Sequence, residues 1–156
     1  MRLNSSMSNN YKLYRIYLKT ALAFSTLSHC IKEKKASVLV KGDSILSVGI
    51  NGTPINAVNC DDLFSEYNED EHSEFSYLWE IEPEVNAILQ CAKNGKNCQD
   101  AILFSTAIPS PETVKLIAAS GISEVYYIKQ SEDEQYNKLV YKQCKTLNIH
   151  IEQIED

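Results

Sequence analysis

Residues 101–128 read AILFSTAIPSPETVKLIAASGISEVYYI. The run at 101–104 is short, apolar and bounded by turn-forming residues, as a buried strand is. Residues 111–119 carry apolar side chains at helical spacing behind a proline, and 124–128 return to β-branched and aromatic residues. Strand, helix and strand in close succession are the unit of an α/β protein.

The alternation extends both ways. Upstream, a helix is predicted over 83–94, with Pro83 in its first turn and Gly95 just past its end. Downstream, a helix over 133–146 and a strand over 149–153 close the chain. Nearer the start, Leu13, Ile16, Tyr17, Ala21, Phe24 and Leu27 recur at helical spacing, predicting an amphipathic helix over 11–34. Short β-branched runs at 36–40 and 45–49 flank KGDS, whose Gly-Asp pair suits a hairpin turn. Residues 1–10, polar and rich in Ser and Asn, are expected to be a mobile tail, leaving 11–156 as one domain. Residues 51–80 show no sustained period, and an irregular segment that long is a place to look for a site. The expected fold is α/β, three layers with helices on both faces of a mixed sheet.

Composition narrows the function classes. A net charge of -6 over 156 residues opposes long-range attraction to nucleic acid or anionic lipid. Lys32, Lys34 and Lys35 form one compact basic cluster, read either as a solvated helix end or as a phosphate contact. No apolar run is long enough to span a bilayer, and the opening MRLNSSMSNN has no signal-like apolar core, so export is not expected. Five cysteines without regular spacing suit a reducing compartment, and a cytoplasmic location is expected.

Residues 81–89, IEPEVNAIL, place two acids, Glu82 and Glu84, at the start of the predicted helix over 83–94. Zinc deaminases of nucleobases use H-x-E followed by P-C-x-x-C: the His and Cys residues hold zinc and the Glu shuttles protons. With GINGTPINAVNCDD (49–62), HSEFSYLWEIEPEVNAIL (72–89), AKNG (92–95) and ASGISEVYY (119–127), the chain resembles the deoxycytidylate (dCMP) deaminases of the T-even phage type. The resemblance runs from about Cys30 to Ile128. It implies the cytidine-deaminase fold, with a five-stranded mixed sheet.

It also assigns positions. The proton-shuttling Glu falls on Glu84. The three catalytic zinc ligands fall on Glu82, Ser110 and Thr113, none of them His or Cys, so ordinary zinc-dependent deamination is not expected. Mg²⁺ held by Glu82, Glu84 and the two hydroxyls is the remaining metal option there; a bland alternative makes Glu84 an acid at a helix N-terminus. Cys91, Cys98 and Cys144 do not match the missing positions. Cys30, Cys60, His72 and Glu80 match a second, non-catalytic zinc site of the phage-type enzymes, and their donor types suit a structural tetrahedron. Asn51, Thr53 and Asn86 match the substrate pocket, although NGTP is also an ordinary turn. Where the family reads V-G-A-V, this chain has Lys35-Ala36-Ser37-Val38.

Three readings follow. The first is a catalytically degenerate, zinc-stabilised dCMP deaminase homologue that binds a deoxynucleotide (dCMP, dCTP or dTTP) or assembles as a homo-oligomer or with an active homologue. The second is an active hydrolase converting dCMP to dUMP through Glu84 with an unusual metal site. The third is a protein-interaction module that presents the acidic segment 61–74.

Overall fold

The structure, a computed structural model, describes residues 3–155, with side chains from Asn10 onward. Five strands form one sheet: β1 (Ala36–Lys41), β2 (Ser44–Ile50), β3 (Ile102–Ala107), β4 (Glu124–Lys129) and β5 (His150–Gln153), in the order β2-β1-β3-β4-β5. β1 is antiparallel to β2 and β3, whereas β4 runs parallel to β3 and to β5. The sheet is therefore mixed, as expected.

Strand alternation divides the core. From β3, Leu103 points to one face and Phe104 to the other; from β4, Val125 and Tyr127 oppose Tyr126. One face carries α4 (Pro83–Lys93), α5 (Pro111–Ala119) and α6 (Glu134–Thr146) through Ala87, Cys91, Val114, Ile117, Val140 and Cys144. The other face carries α1 (Leu3–Ser25) through Tyr17, Leu18 and Ala21. Among these, each buried Val, Leu or Ile contributes about 1.5–3 kcal/mol, and both faces carry at least one.

Two boundaries differ from expectation. The segment expected as a mobile tail over 1–10 lies inside α1 from Leu3 onward, with residues 1 and 2 outside the described residues. Helix extension is cooperative once a packed turn exists, so the polar residues continue the helix that Tyr17, Leu18 and Ala21 anchor. At its other end α1 stops at Ser25, not near residue 34, because the Leu27 and Ser28 amides turn back onto the Phe24 and Ser25 carbonyls. Lys32, Lys34 and Lys35 thus lie in the loop that enters β1.

The segment 51–80 also holds more structure than its sequence suggests: α2 (Cys60–Leu63) and α3 (Glu69–Trp79). Asn68 caps α3 by accepting from the Glu71 amide, and Glu69, Asp70 and Glu71 face the positive helix end. Phe75 meets Phe64 edge-on at 5.4 Å, holding the two helices together. Among the described residues no helix is long and apolar enough to cross a membrane.

β2 sets the position of α4. A Cβ at Gly49 would overlap the Pro83 carbonyl oxygen and the Ala87 backbone, so the first turn of α4 lies directly on that glycine. Asn86 donates to the Ile50 carbonyl at 2.7 Å, and an isolated bridge pairs Gly52 with Ile81. These contacts fix Glu80, Glu82 and Glu84 against the sheet.

Candidate functional site

Cys30 follows α1, Cys60 opens α2, His72 lies in α3 and Glu80 is the C-cap of α3. Their donor atoms all lie within 4.8 Å of one another. Cys30 Sγ is 3.4 Å from His72 Nε2 and 3.7 Å from Glu80 Oε2, and His72 Nε2 is 3.7 Å from Glu80 Oε2. Four donors about 2.0–2.3 Å from a tetrahedral zinc stand about 3.3–3.8 Å apart; Cys30, His72 and Glu80 already have that spacing, and Cys60 lies within 4.8 Å of each. Glu80 Oε1 is buried without a hydrogen-bond partner.

Electrostatics agree with the chemistry of the donors. Burial, partly offset by the amides of Glu33 and Lys32 and reinforced by Glu80, pushes the Cys30 thiol up to about 11. Burial raises Cys60 as well. Such thiols ionise only beside a cation. Around the cluster, His29 pairs with Asp61 at 2.8 Å and Lys32 with Glu69 at 3.1 Å, tying the loop after α1 to α2 and α3.

The second group of predicted positions sits at the N-termini of α4 and α5, two helices that pack against each other. Glu82 is the N-cap residue of α4, but its side chain makes no cap bond. Its carboxylate instead meets Lys35 Nζ at 2.5 Å. Glu84, in the first turn, is 2% exposed. Ser105 Oγ donates to Glu84 Oε1 at 2.6 Å and receives the Ser37 hydroxyl at 2.9 Å, while Glu84 Oε2 has no hydrogen-bond partner. Desolvation, with repulsion from Glu82, raises the Glu84 pKa against the opposing pull of Lys35 and Ser105. Ser110 caps α5: its oxygen accepts from the Thr113 amide at 3.1 Å, and its hydroxyl donates to Thr113 Oγ1 at 2.9 Å.

Two cavities adjoin these groups. The larger, about 630 Å³, is lined by Lys32, Lys35, Glu82, Lys129, Glu132 and Tyr136 among others. Each of its three lysines faces a glutamate: Lys32 with Glu69, Lys35 with Glu82 and Lys129 with Glu33. The smaller, about 200 Å³, is lined by Asn51, Thr53, Asn86 and Cys60 among others. Asn51 also reaches the larger cavity, yet most of its amide is engaged by the chain. Its Oδ1 accepts from the Lys35 amide at 2.7 Å and from Ser28 at 2.8 Å, and its Nδ2 donates to the Glu33 carbonyl.

The structure thus brings together Cys30, Cys60, His72 and Glu80, and separately Glu82 and Glu84 with Lys35. Cys91 and Cys144 lie in the core under α4 and α6, and Cys98 points to the Ser120 carbonyl. The sequence reading did not find the Lys35–Glu82 pair or the Ser37–Ser105–Glu84 chain. An available signal was the run Lys35 to Ser37, a cation and a hydroxyl flanking the start of an otherwise buried strand.

Comparison with known proteins agrees with this architecture. Residues 9–129 match the family described as the cytidine and deoxycytidylate deaminase zinc-binding region. The deoxycytidylate deaminase of Enterobacteria phage T4 is 31% identical, the match covering 70% of this chain and 74% of that protein. The phage T2 enzyme is 30% identical, with 70% and 76% covered. The crystal structure of the dCMP deaminase of cyanophage S-TIM5 in complex with dCMP and dUMP superposes with a TM-score of 0.74 at 28% identity, covering 92% of this chain and 97% of that one. With its mixed five-stranded sheet and the match over 9–129, the chain belongs to the cytidine and deoxycytidylate deaminase family.

Proposed function

We propose that the chain is a zinc-stabilised, non-catalytic member of this family that binds a pyrimidine deoxynucleotide and acts through binding or assembly. The observation that carries the reading is the contrast between two donor sets. Cys30, Cys60, His72 and Glu80 present two sulfurs, an imidazole and a carboxylate within 4.8 Å of one another. Glu82, Ser110 and Thr113 present a carboxylate already paired with an ammonium and two hydroxyls bonded to each other.

The first set fits a structural zinc, whose charge would let both thiols ionise and would hold the segment 51–80 to the loop after α1. The second does not fit a catalytic zinc: a neutral hydroxyl is a weak ligand for a borderline-soft cation, and the carboxylate is committed to Lys35. Zinc deaminases depend on the metal to activate water. Nothing in the Glu82, Ser110 and Thr113 set replaces that activation.

The larger cavity and the neighbouring Asn51, Thr53 and Asn86 support a nucleotide ligand. The cyanophage relative binds dCMP and dUMP, and dCMP, dCTP and dTTP are the ligands to test here. Self-association, or association with an active homologue, is the second part of the proposal. A catalytic reading rests on Glu84, whose raised pKa and partnerless Oε2 suit a proton-transferring acid.

Zinc per chain, by elemental mass spectrometry on untagged protein, together with turnover of dCMP, decides between the two. About one zinc with no turnover supports the proposal. About two, or measurable dUMP, replaces it with an active deaminase. Calorimetry with dCMP, dCTP and dTTP tests the ligand; no heat with any of the three removes nucleotide binding and leaves a scaffold for protein contacts.

A further inference from the structure

We infer that Lys35 is the resident cation of the altered reaction centre: its ammonium supplies the positive charge required by Glu82 and Glu84 and bars a divalent ion from the same place. This rests on the reading that Glu82, Ser110 and Thr113 hold no metal.

Three observations carry it. Lys35 Nζ is 2.5 Å from Glu82 Oε2, at the N-cap of α4, and Glu84 lies two residues further along the same helix. The Lys35 side chain is only 23% exposed, against 47% for Lys32 and 62% for Lys129, so of the three cavity lysines it alone is set inside the wall. Its main chain is fixed on both sides: its amide donates to Asn51 Oδ1 at 2.7 Å and its carbonyl accepts from the Asn51 amide at 3.1 Å.

A buried acid without a counter-charge is strongly unfavourable; Glu84 is buried, whereas the Glu82 carboxylate that Lys35 meets is 39% exposed. Glu84 has one oxygen satisfied by Ser105 and the other by nothing, so the nearby ammonium is the compensation available to the two acids. Burial by itself would lower the Lys35 pKa, but Glu82, Glu84 and Glu33 outweigh it and raise the value above that of an ordinary lysine. The same charge that satisfies the acids repels an incoming dication.

The test rebuilds the donor set. Glu82→His, Ser110→Cys and Thr113→Cys are combined in the full chain, with Lys35 kept or replaced as Lys35→Met, and zinc per chain is measured. The expected result is the native zinc content with Lys35 present and one additional zinc per chain once it is replaced. Equal zinc contents in the two variants, at either value, overturn the inference. Should the rebuilt chains fail to fold, a melting-temperature cycle decides. Lys35→Met should lower Tm by about 4 °C or more in the native background and by much less beside Glu82→Gln and Glu84→Gln; equal shifts overturn it. A native protein that already carries two zinc ions would instead remove the underlying reading.

Discussion

The Ser105 hydroxyl, rising from β3, donates to the Glu84 carboxyl group at 2.6 Å inside a wall that leaves Glu84 2% exposed. Burial, not this hydrogen bond, makes the acid resist ionisation: desolvation with the nearby Glu82 charge keeps its pKa raised against the opposing pull of Lys35 and of the Ser105 donor. Tyr136, which lines the larger cavity with Glu82, has its own pKa pushed up to about 12 by burial and Glu82. Because the folded value lies above the ordinary 4.5, the contribution of Glu84 to stability is complete below that pH and is lost as pH rises through the folded pKa. Glu84→Gln should therefore stabilise the protein at pH 8, with the gain disappearing toward pH 4. Urea denaturation across that range measures it, and a gain independent of pH would contradict the raised pKa.

Loss of the proposed structural metal should be costly. Cys30→Ala or His72→Ala is expected to reduce zinc from about one per chain to near zero and to lower Tm by on the order of 10 °C. Cys98→Ala, at a thiol outside the cluster, should leave zinc unchanged. Elemental mass spectrometry beside differential scanning calorimetry reads both, and retention of zinc after Cys30→Ala would exclude the assigned ligand set.

Ser110 separates capping from coordination. As the N-cap of α5 it satisfies the Thr113 amide, so Ser110→Ala should cost about 1 kcal/mol while leaving zinc content unchanged. A fall in zinc in that variant would make Ser110 a ligand.

Gly49 tests how closely α4 rests on β2. Gly49→Ala inserts a methyl group into the Pro83 carbonyl oxygen and the Ala87 backbone, and should destabilise by about 1–3 kcal/mol. Gly52→Ala meets no atom within 4 Å and should stay within about 0.5 kcal/mol. Equal urea midpoints for the two variants would contradict the packing.

The second half of the fold was readable because each element there carries its own signal: Pro83 and Gly95 around α4, Pro111 at the start of α5, and apolar strands buried between helices. α3 was hidden because its apolar residues are few and its first turn is acidic, so the helix reads as a charged loop until Asn68 is recognised as its cap. The end of α1 was overrun because Leu27 keeps the helical spacing although it is 62% exposed, a difference only tertiary packing decides. Within the site, resemblance proposed Cys30, Cys60, His72 and Glu80 as a donor set, yet only the chain path brings them within reach of each other. Lys35 was noticed as a departure from the family pattern. That its ammonium turns toward Glu82 depends on the Asn51 contacts that hold its backbone.

Those Asn51 contacts and the Gly52–Ile81 bridge also tie the four donors to the sheet: they bring the loop leading from Cys30 and the segment ending at Glu80 to the same sheet edge, beside the β1–β2 hairpin. The expected outcome of refolding under chelation is a chain that recovers its sheet and locks the segment around α2 and α3 only when metal is returned; simultaneous recovery of both without metal would contradict it.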